Sequence, residues 1–250
     1  MRKFVADFLN GLSSAELRQH NDFYIVEYPK SGITWLSCLL ANVALIESGR
    51  CEIATFSSIH HYVPDIHMCR KISNMIYDRP PVRFIKSHAK FTSSYISLIY
   101  LTRHPLSVLK SYYRYNIETE GKKYSSFIDF CKSRRHGVPA WRNHVNSWLR
   151  RRIVPQRLSL VKYEDLLKDP ARELLSLSTN FGWEFSESSI QSAISRCSIY
   201  EMKKSEETYR SRDPRYSLNF VAGSDESPVD SDAVSYICNE CQSELRLLGY

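Results

Sequence analysis

One stretch constrains the fold more than any other. In Asp22-Phe-Tyr-Ile-Val-Glu-Tyr-Pro-Lys-Ser-Gly-Ile-Thr-Trp35, an apolar run stops at a Pro-Lys-Ser-Gly turn and passes into a helical pattern. Phe23 to Val26 are aromatic and β-branched with little alternation, as in a strand covered on both faces. Pro29 ends the ladder because it has no N–H to donate. From Thr34 onward, Trp35, Leu36, Leu39, Leu40, Val43 and Ala44 follow helical spacing. Ser31 to Thr34 therefore fall at a helix N-terminus whose unpaired N–H groups face outward. Such a terminus attracts an anion, and Lys30, Ser31 and Thr34 add one full charge and two hydroxyls. The predicted unit is strand, phosphate loop, helix.

The turn is not the Walker arrangement, because its lysine precedes its only glycine, and it lacks the three-glycine dinucleotide fingerprint. A chain of 250 residues, 43% of them hydrophobic, fits one α/β domain and excludes disorder as its general state. The formal charge of +7 and the pI near 9.0 favour an anionic partner without naming it. Seven cysteines, an odd number scattered through apolar contexts, point to reduced thiols and a cytoplasmic setting. The N-terminus becomes polar before a signal-peptide core forms, and no apolar run is long enough to span a bilayer, so no membrane anchor is expected.

Residues 1–20 read as a short amphipathic segment over the sheet edge. Residues 50–80 read as an irregular lid or acceptor region; its His60, His61, His67 and Cys69 match no standard zinc spacing. Val82-Arg-Phe-Ile-Lys-Ser-His88 is a second strand that delivers Lys86 and His88 to its carboxyl end, the edge where open parallel sheets bind ligands. Ser97–Thr102 is a third strand, and Pro105 opens the next helix. Helical segments follow near 124–134 and 140–151. Their flanking basic clusters, Lys132 with Arg134 and Arg135 and then Arg150 to Arg152, read as solvated faces rather than nucleic-acid contacts. Arg157 to Val161 is a fourth strand. Asp169 and Ser186 cap two further helices, with Gly182 closing the first. Residues 203–231 read as a mobile loop. Asp230 or Ser231 caps a final helix whose stripe of Val234, Ile237, Cys238, Cys241, Leu245 and Leu248 ends before Gly249. Cys238 and Cys241 are read as packing residues rather than a redox or zinc pair.

With these residues in place, Tyr28-Pro-Lys-Ser-Gly-Ile-Thr-Trp35 resembles the 5′-phosphosulfate loop of the PAPS-dependent sulfotransferases, with Ile33 where threonine is commonest. Lys86-Ser-His88 resembles the family's Lys-Thr-His, whose histidine is the catalytic base. Arg103, Pro105, Val108, Ser111, Tyr112 and Tyr113 match a family pattern whose arginine and serine hold the nucleotide's 3′-phosphate. Tyr163-Glu-Asp165 also resembles a family segment, and Cys197-Ser198 begins one that meets the adenine. A family segment near the C-terminus lends the 3′-phosphate another arginine, whereas Asn219-Phe-Val-Ala-Gly223 carries Ala222 there. Arg210, Arg212 and Arg215 are the expected substitutes.

The resemblance, from about residue 22 to 223, implies a single sulfotransferase domain over residues 1–250, a central parallel sheet flanked by helices in a P-loop-like nucleotide-binding architecture. It implies transfer of a sulfuryl group from PAPS to a hydroxyl or amine, with release of PAP and no metal. The implied catalytic residues are His88 as base, Lys30 at the leaving group and Lys86 at the sulfuryl oxygens. The implied nucleotide residues are Lys30, Ser31, Gly32, Ile33, Thr34, Trp35, Arg103, Ser111, Tyr163, Cys197, Ser198 and Gly223. The expected partner is a small-molecule acceptor, with no nucleic acid and no membrane; oligomeric state stays open. Aromatic and histidine residues from Phe56 to Tyr62, with Phe91, suit a ring-bearing acceptor, and the same residues would serve as core. The alternative is a non-catalytic protein that binds PAP on the same fold.

Overall fold

The computed structural model describes residues 22–66, 82–151, 155–212 and 230–250. In chain order these form β1 (Asp22–Glu27), α1 (Ile33–Glu47), α2 (Ile59–Tyr62), β2 (Arg83–Ser87), β3 (Ser97–Thr102), α3 (Pro105–Glu118), α4 (Phe127–Lys132) and α5 (Val138–Leu149). They continue with β4 (Arg157–Lys162), α6 (Tyr163–Lys168), α7 (Pro170–Phe181), α8 (Glu187–Arg196), α9 (Ile199–Arg212) and α10 (Ser231–Leu248). The four strands pair in parallel in the order β2-β1-β3-β4. This is the expected α/β architecture, with every strand's carboxyl end at one edge.

All six residues of β1 and of β3 are buried, which explains why their sequences do not alternate. On one face, Phe23, Ile25, Phe84, Ile99 and Leu101 pack with Leu36, Leu39, Leu40 and Val43 of α1 and with α7 and α8. On the other, Tyr24, Val26, Ile85, Leu98 and Tyr100 pack with Val108, Leu109, Phe130, Trp141, Val145 and Trp148, and Ile237 and Cys241 of α10 close that layer. The expected caps are present. Asp169 accepts from the Arg172 N–H at 3.0 Å, Ser186 from Ser189 at 3.2 Å, and Asp230 from Asp232 at 3.0 Å. Gly182 and Gly249 end their helices in the left-handed region.

Two expectations are corrected. Residues 203–212, read as the start of a mobile loop, belong to α9. Only Met202 and Glu206 of that helix are buried, so no apolar stripe announced it. Cys238, assigned to the inner stripe of α10, is exposed. The helix instead turns Glu244 inward, where its carboxylate accepts from Arg142 Nε at 3.1 Å and from Asn146 Nδ2 at 2.7 Å. Cysteines 38, 51, 131, 197, 238 and 241 are all free thiols. The predicted amphipathic segment over 1–20, the residues His67, Cys69 and Arg215, and the segment Asn219 to Gly223 lie outside the described residues. No described helix is long and apolar enough to cross a membrane.

Candidate active site

The site grows from the turn after β1. Lys30 sits in the left-handed region at φ 77°, as does Gly32 at φ 111°, and Gly32 precedes α1 without a side-chain cap. A non-glycine residue held there stores backbone strain, typically about 1–3 kcal/mol. Local bonds fix the turn. Ser31 Oγ donates to the Tyr28 carbonyl at 2.8 Å, and the Ile33 N–H donates to the Glu27 carboxylate at 2.8 Å. Gly32 is required twice over, by its φ and by its neighbour. A Cβ there would fall 2.3 Å and 2.5 Å from ring carbons of Tyr163.

The turn opens into a cleft of about 470 Å³ at the carboxyl ends of the strands. Lys30, Gly32, Ile33, Thr34 and Trp35 line it from the loop. Lys86 and His88 reach it from the end of β2, Arg103 from the turn after β3, Ser111 from within α3, and Tyr163 from the start of α6. The Arg103 guanidinium lies 4.5 Å from the Tyr163 ring centroid, a cation–π contact that aims the charge along the wall. Three expected contributors are not on the wall. Ser31 is turned inward, and Cys197 is fully buried behind the loop, with Ser198 beside it. Cys197 instead anchors the loop, because its carbonyl accepts from Trp35 Nε1 at 2.8 Å. Gly223 lies outside the described residues.

The cleft's charges are closely coupled. Lys86 Nζ lies 3.5 Å from Asp65 Oδ2. Asp65 is held there because Pro64 and Ile66 bond to the backbone of Lys86, extending the sheet by one bridge. His88 Nδ1 lies 3.4 Å from the Glu27 carbonyl and 3.8 Å from its carboxylate, while Nε2 lies 4.0 Å from Asp65 Oδ2. Burial raises Glu27 to about 7, although Lys86, Lys30 and two backbone N–H groups oppose the rise. Burial also lowers Lys30, with Glu27 partly offsetting it. The Lys30 ammonium lies 4.9 Å from the Tyr115 ring centroid. A desolvated, strained lysine beside a helix N-terminus is poised for a polyanion, whose charge would oppose the effect of burial.

Sequence reasoning missed several groups that share this wall. They are Glu27, Asp65, Tyr112, Tyr115, Glu120 and Lys122. A signal existed for Glu27, since a carboxylate closing an apolar run must be either paired or used. Asp65 had none, because its place depends on the bridge to β2. Near the mouth, Tyr115 Oη donates to Glu120 at 3.1 Å, and Lys122 Nζ lies 3.5 Å from the same carboxylate.

Comparison with known proteins bears on this geometry. The sulfotransferase domain family matches residues 20–218. Sulfotransferase 1E1 of Bos taurus is 30% identical over 221 residues, covering 83% of this chain and 74% of its own. Sulfotransferase 1A1 of Bos taurus is 26% identical over 227 residues, covering 85% and 76%. Among solved structures, retinol dehydratase in complex with androsterone and inactive cofactor PAP superposes with a TM-score of 0.70 at 18% identity, covering 98% of this chain and 86% of the other. A mouse sulfotransferase complexed with PAP superposes at 0.66 and 18%, covering 94% and 90%.

Proposed function

The chain belongs to the sulfotransferase family, as a PAPS-dependent enzyme of sulfuryl transfer, and from that premise we propose how its own residues act. The whole chain, residues 1–250, works as one sulfotransferase domain in the cytoplasm. The donor lies along the phosphate loop, with Lys30, Gly32, Ile33, Thr34 and Trp35 at its 5′ end and Arg103 and Ser111 at its 3′-phosphate. Tyr163, Cys197, Ser198 and Gly223 complete the nucleotide side, the cysteine by bracing Trp35 from behind. The observation that carries this reading is the convergence of Lys30, Lys86, His88, Arg103 and Ser111 on one cleft. The Gly32 cradle fits it too, since any larger residue would strike the Tyr163 ring.

The donor supplies an activated sulfuryl group, and the protein supplies position, charge and a proton acceptor. His88 takes the proton of the acceptor's hydroxyl or amine as the new bond to sulfur forms. Lys30 neutralises the phosphate oxygen left when the old sulfur–oxygen bond breaks, and Lys86 steadies the sulfuryl oxygens. The acceptor is a small molecule. Androsterone and retinol, bound by retinol dehydratase, make a ring-bearing alcohol the first class to screen.

The test has two stages. Thermal denaturation with PAP, ADP and AMP at matched concentration should show PAP alone giving a large shift, about 2.7 kcal/mol at a hundredfold excess over its Kd. A shift no larger than that of AMP would overturn the assignment of Arg103 and Ser111. With PAPS and a turned-over acceptor, His88→Ala should then lose roughly 10²–10⁴ in kcat. Full turnover by that variant would remove His88 as the base.

A further inference from the structure

We propose that Glu27 is a positioning residue for His88, holding the ring as its Nδ1–H tautomer and stabilising the ring's positive charge once Nε2 has taken the acceptor's proton. The inference rests on the reading of His88 as base.

The geometry carries it. Glu27 is the last residue of β1 and 2% exposed, and it meets His88 just beyond the end of the neighbouring β2. It offers the ring two oxygens on the Nδ1 side, a carbonyl at 3.4 Å and a carboxylate at 3.8 Å. The carbonyl can only accept, so the ring proton belongs on Nδ1, and the carboxylate, beyond hydrogen-bond reach, adds its negative charge on the same side. Nε2 then carries the lone pair on a ring that lines the cleft. The carboxylate is itself oriented, because the Ile33 N–H of α1 holds its other oxygen at 2.8 Å. The phosphate loop therefore fixes Glu27, and Glu27 fixes the base.

Other groups bear on the carboxylate from every side. Lys86 faces it from β2, Lys30 and its N–H from the loop, and Tyr100 from β3. Asp65 stands across the ring, 4.0 Å from Nε2, too far for a hydrogen bond that would fix the proton there. When the acceptor's proton moves to Nε2, its bonding pair stays with the attacking atom, Nδ1 keeps its proton, and the imidazolium faces an ionised Glu27. The carboxylate takes no proton in this step. The arrangement works only while Glu27 is charged, and its burial-raised value of about 7 sets the lower edge of that range. Below it a neutral carboxyl no longer offsets the positive charge that the ring gains.

Two-bond ¹H–¹⁵N spectra of histidine-labelled protein saturated with PAP read the tautomer directly, with the His88 signal identified by its loss in His88→Gln. At alkaline pH the wild type should show the Nδ1–H form. Glu27→Gln keeps the shape, the bond to Ile33 and the backbone carbonyl, so the Nδ1–H form should persist. The pH at which the ring gains its second proton should fall by about 1 or more with the charge removed. Glu27→Asp, which keeps the charge, should recover most of that fall. An Nε2–H ring in the wild type, or identical titrations in wild type and Glu27→Gln, would overturn the inference. An inactive His88→Ala with an unchanged Glu27→Gln titration sinks Glu27 alone; an active His88→Ala sinks the base and its positioning together.

Discussion

Asp22 and Glu27 stand at opposite ends of β1, 5% and 2% exposed, and the strand treats them differently. Asp22 lies in register with Arg83 of β2, whose Nη2 donates to Oδ2 at 2.6 Å while Nε donates to Oδ1. That two-pronged pairing answers the burial within the sheet itself. Glu27 has backbone N–H bonds and the fields of two lysines, and burial still raises it to about 7. One carboxylate is compensated at the end of the sheet that only has to hold together. The other keeps part of its desolvation cost at the end that has to work, where charged groups under strain mark functional sites.

Removing one partner at the amino end should have the largest effect on stability. Asp22→Ala leaves the Arg83 guanidinium buried without its carboxylate, and urea denaturation should show a loss of about 3–5 kcal/mol. Turnover per folded molecule should be unchanged, because the cleft lies at the other end of the strand. A loss below about 1 kcal/mol would show that the two ends are alike.

Glu27→Gln should move stability the other way. Glu27 rises from 4.5 in the unfolded chain to about 7 in the folded one, so the folded state holds its proton more tightly. Its stabilising contribution is complete below pH 4.5 and is lost as pH rises through about 7. Above that pH the neutral variant should be the more stable protein by on the order of 3 kcal/mol, and the gap should close toward pH 4.5. Parallel melting curves across that window would show that Glu27 pays no burial penalty.

The smallest change is expected when the Asp22 pair is replaced whole. Asp22→Leu with Arg83→Met removes both charges and keeps the volume, which should leave stability within about 1–2 kcal/mol of the wild type. A loss as large as that of Asp22→Ala would mean that the pair specifies the sheet's register rather than compensating a charge.

Much of this was legible before the structure. β1 and β3 could be read because parallel strands covered on both faces are continuous apolar runs. Asp169, Ser186, Gly182 and Gly249 could be read because helix ends have few chemical solutions. Lys30, His88 and Arg103 follow strands, Lys86 lies near the end of one and Ser111 in the helix after β3, so one sheet edge gathers them. What escaped was set by contacts distant in sequence. Asp65 reaches the cleft through one bridge to Lys86. The first part of the supposed loop is helical although its charges hide any stripe. Glu27 could be flagged as a carboxylate closing an apolar run, but its tie to His88 appears only once His88 arrives from the next strand.

The order β2-β1-β3-β4 also has a kinetic consequence. Asp22 meets Arg83, Phe23 meets Ser97, and Ser97 meets Arg157, so every pairing joins residues at least 60 positions apart in the chain. Each pairing closes a long loop before any contact repays it, which makes folding slow. The cleft draws on β1, β2 and the helices that follow β3 and β4, so it exists only when the last strand has docked. A nucleotide can therefore recognise only the finished sheet: it slows the chain's unfolding and leaves the rate of folding untouched.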